Sequence, residues 1–174
     1  MAMAAIANIP RISPTRLAEI ILLETQRSPN LDELTPPTQV AVVDVRDSDH
    51  IGGHIRYSFH EPSNTLYYRM QELVYRLESR KIVVFHCALS QERGPAAAVR
   101  YLRERERLMG IPSTQKIPTD ICMTTLCNEV RERSFDENRR QLVFILDDGF
   151  VGWQKEYGED SRLTEGFRKD LWRV

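Results

Sequence analysis

Lys81-Ile82-Val83-Val84-Phe85-His86-Cys87-Ala88-Leu89-Ser90-Gln91-Glu92-Arg93-Gly94-Pro95-Ala96-Ala97-Ala98-Val99 decides the reading of this chain. Ile82 to Phe85 is an apolar, β-branched run and predicts a buried strand. From about Pro95 an Ala- and Val-rich run predicts a helix, with proline in its first turn, where a missing N–H costs nothing. Five residues separate Cys87 from Arg93. A strand, a short loop and a helix N-terminus bring successive backbone N–H groups toward one point, a geometry that binds a tetrahedral oxyanion. A cysteine at the strand end aims its sulfur at the same point.

The chemistry follows from those residue types. A free thiol is only about 3% thiolate at neutral pH. The helix N-terminus, the loop amides and Arg93 all favour the anion. Arg93 can hold two oxygens of a phosphate or arsenate side by side. Ala88, Leu89, Ser90, Gln91 and Glu92 supply N–H groups to the remaining oxygens, and the same donors stabilise the transition state. The implied reaction is attack of Cys87 on phosphorus, giving a phosphocysteine that water hydrolyses.

The rest of the chain frames this loop. Its 174 residues suggest one domain, and 41% hydrophobic with 28% charged residues describe an ordinary globular protein. A net charge of −1 gives no reason to expect nucleic acid as a partner. No apolar stretch approaches the roughly 20 residues that span a bilayer, so no membrane partner is expected. The apolar N-terminus lacks a basic start and reads poorly as a signal peptide. Three cysteines, Cys87, Cys122 and Cys127, fit a reducing compartment. The expected location is cytoplasmic, with the nucleus as the second compartment. No oligomeric state is predicted.

Ser13-Pro14 opens a first helix as N-cap and first helical residue. Val40 to Val45 reads as a central parallel strand. A short strand at about 54–59 and a helix over 65–77 follow, the helix carrying Leu66, Met70, Leu73, Val74 and Leu77 on one face. The helix 95–107 turns Val99 and Leu102 inward. Leu142 to Leu146 is a further buried strand, Asp147-Asp148-Gly149 a turn into a short helix, and 164–172 a weakly amphipathic helix. Strands alternating with helices predict an α/β sheet, with ligands outside the carboxyl ends of its strands.

His86-Cys87-Ala88-Leu89-Ser90-Gln91-Glu92-Arg93-Gly94-Pro95 closely resembles the active-site loop of the rhodanese-fold phosphatases. These include the M-phase inducer phosphatases and small eukaryotic relatives that dephosphorylate phosphotyrosine or reduce arsenate. Val43-Asp44-Val45-Arg46 with Gly52-Gly53-His54-Ile55 looks like the first structural motif of rhodanese domains, and Leu146 to Trp153 like the second. The resemblance covers about residues 12–158. It implies a rhodanese-like α/β fold of about five mainly parallel strands with helices on both faces. The expected organisation is a tail at 1–11, a catalytic domain at 12–160 with an insertion at about 109–140, and a helical extension at 161–174. Sulfur-transferring rhodaneses have a loop one residue shorter, so this loop favours a phosphatase or an arsenate reductase. Thiosulfate sulfur transfer and a non-catalytic anion-binding module rank below both.

Three positions depart from the family pattern. Val45 stands where the M-phase inducers carry a second cysteine, Ala88 where they carry an acidic residue, and Asp148 where the second motif has the first of two glycines. Glu92, the one carboxylate inside the loop, has two readings: general acid for the leaving oxygen, or an outward-pointing surface residue. The resemblance makes His86 an orienting group that does not transfer protons. Asp44 and Arg46 are read as a supporting polar pair under the loop. His50 and His54 are not read as a metal pair, because Gly52 and Gly53 break the helix that would align them. No metal or cofactor is expected. An arsenate reductase would draw on glutathione or glutaredoxin. Cys122 and Cys127 either resolve an oxidised Cys87 or pack inside a helix. Arg100, Arg103 and Arg107 form a solvated helix stripe, with acidic docking as the alternative. The expected substrate is a phosphoprotein or a small oxyanion.

Overall fold

The computed structural model describes residues 9–25, 35–110 and 141–172. The insertion from 111 on, with Cys122 and Cys127, lies outside the described residues. The elements in order are β1 (Arg11–Ile12), α1 (Pro14–Thr25), β2 (Val40–Asp44), β3 (His54–Ile55), β4 (Phe59–His60), α2 (Leu66–Arg76), β5 (Ile82–His86), α3 (Arg93–Met109), β6 (Leu142–Leu146), α4 (Gly149–Tyr157) and β7 (Thr164–Glu165). A 3-10 turn at Lys169–Leu171 follows. Among the described residues no helix is long and apolar enough to cross a membrane.

Five strands form one parallel sheet in the order β1-β6-β5-β2-β4. Every residue of β2 and β5 is buried, as a two-sided parallel strand requires. The strand period of two sorts their side chains onto two faces. Val40, Val42, Ile82, Val84 and Phe144 pack with α1 and α4. Ala41, Val43, Val83, Phe85, Val143 and Ile145 pack with α2 and α3, and Cys87 joins that second layer. Helices therefore cover both faces. The pairing sets Asp44 opposite His86 and Phe85 opposite Ile145. The carboxyl ends of β2, β5 and β6 are thus level, and the loops leaving them share one edge.

Several expectations are corrected. The strand expected at 54–59 is two short ones: β3 pairs antiparallel with β7, and β4 lies on the edge of the main sheet. Tyr57, at φ 61°, turns the chain between them. α3 begins at Arg93, two residues before Pro95, so Arg93 is itself helical. Its buried face is Ala97, Ala98, Tyr101, Leu102 and Arg105, with Val99 only half-buried. The helical extension expected at 161–174 is strand β7, a bend at Gly166 (φ 63°) and the 3-10 turn. These residues pack back on the domain. Trp172 Nε1 donates to Gly52 O at 2.8 Å, and its ring meets Phe150 edge-on. A Cβ on Gly53 would lie 3.0 Å from the Phe167 backbone, so the two glycines let the chain end close over the first motif. Arg100, Arg103 and Arg107 are exposed, and Arg107 pairs with Glu104 at 2.6 Å.

Candidate active site

The loop between β5 and α3 is held from outside, carbonyl by carbonyl. Phe150 N–H donates to Cys87 O and Val151 N–H to Ala88 O, both at 2.9 Å. Arg11 Nη2 donates to Ser90 O at 3.0 Å, and His86 Nδ1 lies 3.1 Å from Cys87 O. A peptide whose carbonyl is bonded outward turns the next N–H inward. Ser90, at φ 52°, completes the curl, and its N–H reaches Cys87 Sγ at 3.2 Å. That bond puts a backbone donor directly on the sulfur. The Ser90 side chain is fully buried, and its hydroxyl has no partner among the described residues.

The second motif is what grips Cys87 O and Ala88 O. Asp148 adopts the left-handed conformation expected of a residue in a Gly-Gly position, at φ 54° and ψ 8°. Gly149 follows at φ 54°, where a Cβ would lie 2.5 Å from both loop carbonyls. Only glycine fits that approach.

Beneath the loop, Asp44 and Arg46 are fully buried and form a fork. Arg46 Nε donates at 3.0 Å and Nη2 at 2.7 Å to the Asp44 carboxylate, and Nη2 also donates to Gly53 O at 2.9 Å. The guanidinium lies 4.1 Å over the Phe150 ring. Burial pushes the Asp44 carboxyl up, but nearby His86 and the Arg46 fork pull harder, and it settles at about 2. His86 is fully buried, with Nε2 3.7 Å from Asp44 Oδ2. Burial pushes its ring below the ordinary value, against the pull of Asp44, which favours the neutral imidazole. His86 thus reaches both the loop and the buried pair.

Arg93, half-buried at the loop's end, is engaged by two residues that the sequence reading missed. Its Nη1 and Nη2 donate to Asp49 Oδ1 and Oδ2 at 2.7 and 2.6 Å, and Nη1 also donates to Asp47 Oδ2 at 3.1 Å. The Asp49 bond, then Asp47, raise the Arg93 value further, and Arg93 in turn pulls Asp49 down to about 2. The signal for them was the acidic turn Asp47-Ser48-Asp49 directly after Asp44-Val45-Arg46. Nothing in the sequence pointed to Arg11. Glu92 occupies the N-cap position of α3 with its side chain exposed, and Leu89 and Gln91 are exposed on the rim. His50 stacks on His60 with ring centroids 3.7 Å apart and on His54 at 5.6 Å, so these rings face one another instead of converging on a common point.

A parallel α/β sheet with a cysteine loop at its carboxyl edge and these two supporting motifs defines the class. The rhodanese-like domain profile matches residues 30–156, and the chain belongs to that family. It is 31% identical over 179 residues to the CDC25-like phosphatase YCH1 of Saccharomyces cerevisiae, covering 97% of each chain. It is 45% identical over 117 residues to arsenate reductase 2.2 of Oryza sativa, covering 67% of this chain and 70% of the relative. Among solved structures it superposes on Ygr203w, described as a yeast protein tyrosine phosphatase of the rhodanese family, with TM-score 0.64 and 31% identity. That match covers 95% of this chain and 98% of the other.

Proposed function

We propose that this chain is a cysteine-dependent phosphatase that hydrolyses phosphotyrosine, free or in a protein, through a phosphocysteine. The observation that carries the reading is the Ser90 N–H at 3.2 Å from Cys87 Sγ, inside a loop whose carbonyls are bonded outward. Cys87 attacks phosphorus as the thiolate, and the ester oxygen departs as the S–P bond forms. Arg93 and the inward N–H groups of the loop hold the three remaining oxygens, whose charge is greatest in the transition state. Glu92, exposed at the N-cap of α3, is the carboxyl we assign to protonating the leaving oxygen. Water then cleaves the S–P bond and restores the thiolate. No metal or cofactor enters these steps.

The rice relative favours a second reading of the same loop, arsenate reduction. Reduction of As(V) to As(III) takes two electrons. Cys87 and an external thiol such as glutathione or glutaredoxin supply them, ending as a mixed disulfide.

Both readings are tested side by side on the purified full chain. One arm holds p-nitrophenyl phosphate, the other arsenate with glutathione and glutaredoxin. Hydrolysis that Cys87→Ser abolishes is expected. A Cys87→Ser variant as active as the parent overturns the mechanism, and arsenite release without hydrolysis selects the second reading.

A further inference from the structure

Arg93 has five N–H donors in a planar fork. Asp49 takes the two that face each other across the end of the guanidinium, and Asp47 takes the outer N–H of Nη1. This leaves the Nε–H and the outer N–H of Nη2, two parallel donors along one side, which no acceptor among the described residues engages. A tetrahedral oxyanion needs such a pair. The carboxylates therefore occupy the far edges of the guanidinium and leave one binding edge available.

The carboxylates are themselves fixed. Ser63 Oγ donates to Asp47 Oδ2 at 2.6 Å, and the Asn64 N–H donates to Asp47 Oδ1 at 3.0 Å. The Asp47 N–H donates to Asp49 Oδ1 at 2.9 Å. The turn after β2 and the segment entering α2 thus share one hydrogen-bonded chain that ends on Arg93. An arginine has four rotatable side-chain bonds, and freezing them on binding costs affinity. Here they are frozen beforehand.

We infer that Asp49, braced by Asp47, is a positioning residue for Arg93 that presents the guanidinium's Nε/Nη2 edge to the bound oxyanion. The inference deepens the proposed function, since it assigns a role within the same oxyanion loop. It predicts that an extra negative charge beside the site strengthens anion binding, because orientation outweighs repulsion.

Two measurements on the full chain test it. Tungstate, an inert tetrahedral oxyanion, is titrated calorimetrically, and kcat and KM are read with p-nitrophenyl phosphate. Asp49→Asn should weaken tungstate binding about tenfold and raise KM by a similar factor. Asp49→Glu should recover most of the loss, which a purely structural role would not require. Asp47→Asn, which removes one bond of the three, should show a smaller effect of the same sign, and it decides the matter if Asp49→Asn does not fold. Unchanged tungstate affinity in the carboxamide variants overturns the inference. Tighter binding overturns it too, since Asp49 would then compete with the anion. If the parent hydrolyses nothing but binds tungstate, the phosphatase reading fails while the tungstate comparison still decides this one.

Discussion

Arg93 serves two sets of oxygens at once, two carboxylates on its far edges and, in the proposed reaction, a phosphoryl group on its near edge. Lysine has the charge but no planar fork, so it cannot bridge both. Arg93→Lys should lower kcat/KM at least about a hundredfold while the melting temperature moves little, because the side chain is half-buried at the rim. A variant within fivefold of the parent would mean that loop N–H groups alone hold the phosphate. Arg46 makes the opposite case. It sits in the same motif region but is fully buried, spent on Asp44, Gly53 O and the Phe150 ring. Its charge supports the ground beneath the loop.

At the scale of elements, the loop's shape is set by α4 as much as by β5 and α3. The first N–H groups of α4 bond the carbonyls of Cys87 and Ala88, and Gly149 lets the backbones approach. Gly149→Ala places a methyl 2.5 Å from both carbonyls in a backbone region that alanine resists. It should cost about 3 kcal/mol by urea unfolding and at least tenfold in activity. A variant as active and stable as the parent would disprove the brace. β5, its loop and the Gly149 turn were legible because their signals are local: an apolar run, a fixed Cys–Arg spacing, glycines at a turn. The split of 54–60 was not, because it depends on Tyr57 at positive φ and on pairing with a strand more than a hundred residues away. The chain end read as helix by periodicity, but Gly166 and the partner strand β3 overrode so weak a pattern. Asp47 and Asp49 lie in a turn, where aspartate is favoured for local reasons, so the sequence gives them no sign of a distant partner. Their bond to Arg93 crosses four intervening elements and exists only in the fold.

For the whole molecule, two groups buried together under the sheet's carboxyl edge tie stability to pH. Asp44 titrates at about 2 in the fold against an ordinary 3.8. Its contribution is complete above the ordinary value and is lost as pH falls from there toward 2. Integrated over that window it is worth about 2 kcal/mol. His86 acts earlier. Burial holds its folded value below the ordinary 6.5, so the unfolded chain takes the proton first and stability declines as pH falls through 6.5. Both groups give the same sign: acid weakens the fold in two stages, and neither stage begins above neutrality. Urea unfolding at pH 7, 5 and 3 should show both drops. Replacing the buried pair together, Asp44→Asn with Arg46→Met, should shrink the drop between pH 5 and 3 while leaving no lone buried charge behind. If the double variant loses as much over that interval as the parent, the lower stage does not arise from Asp44, and the exposed carboxylates must carry it.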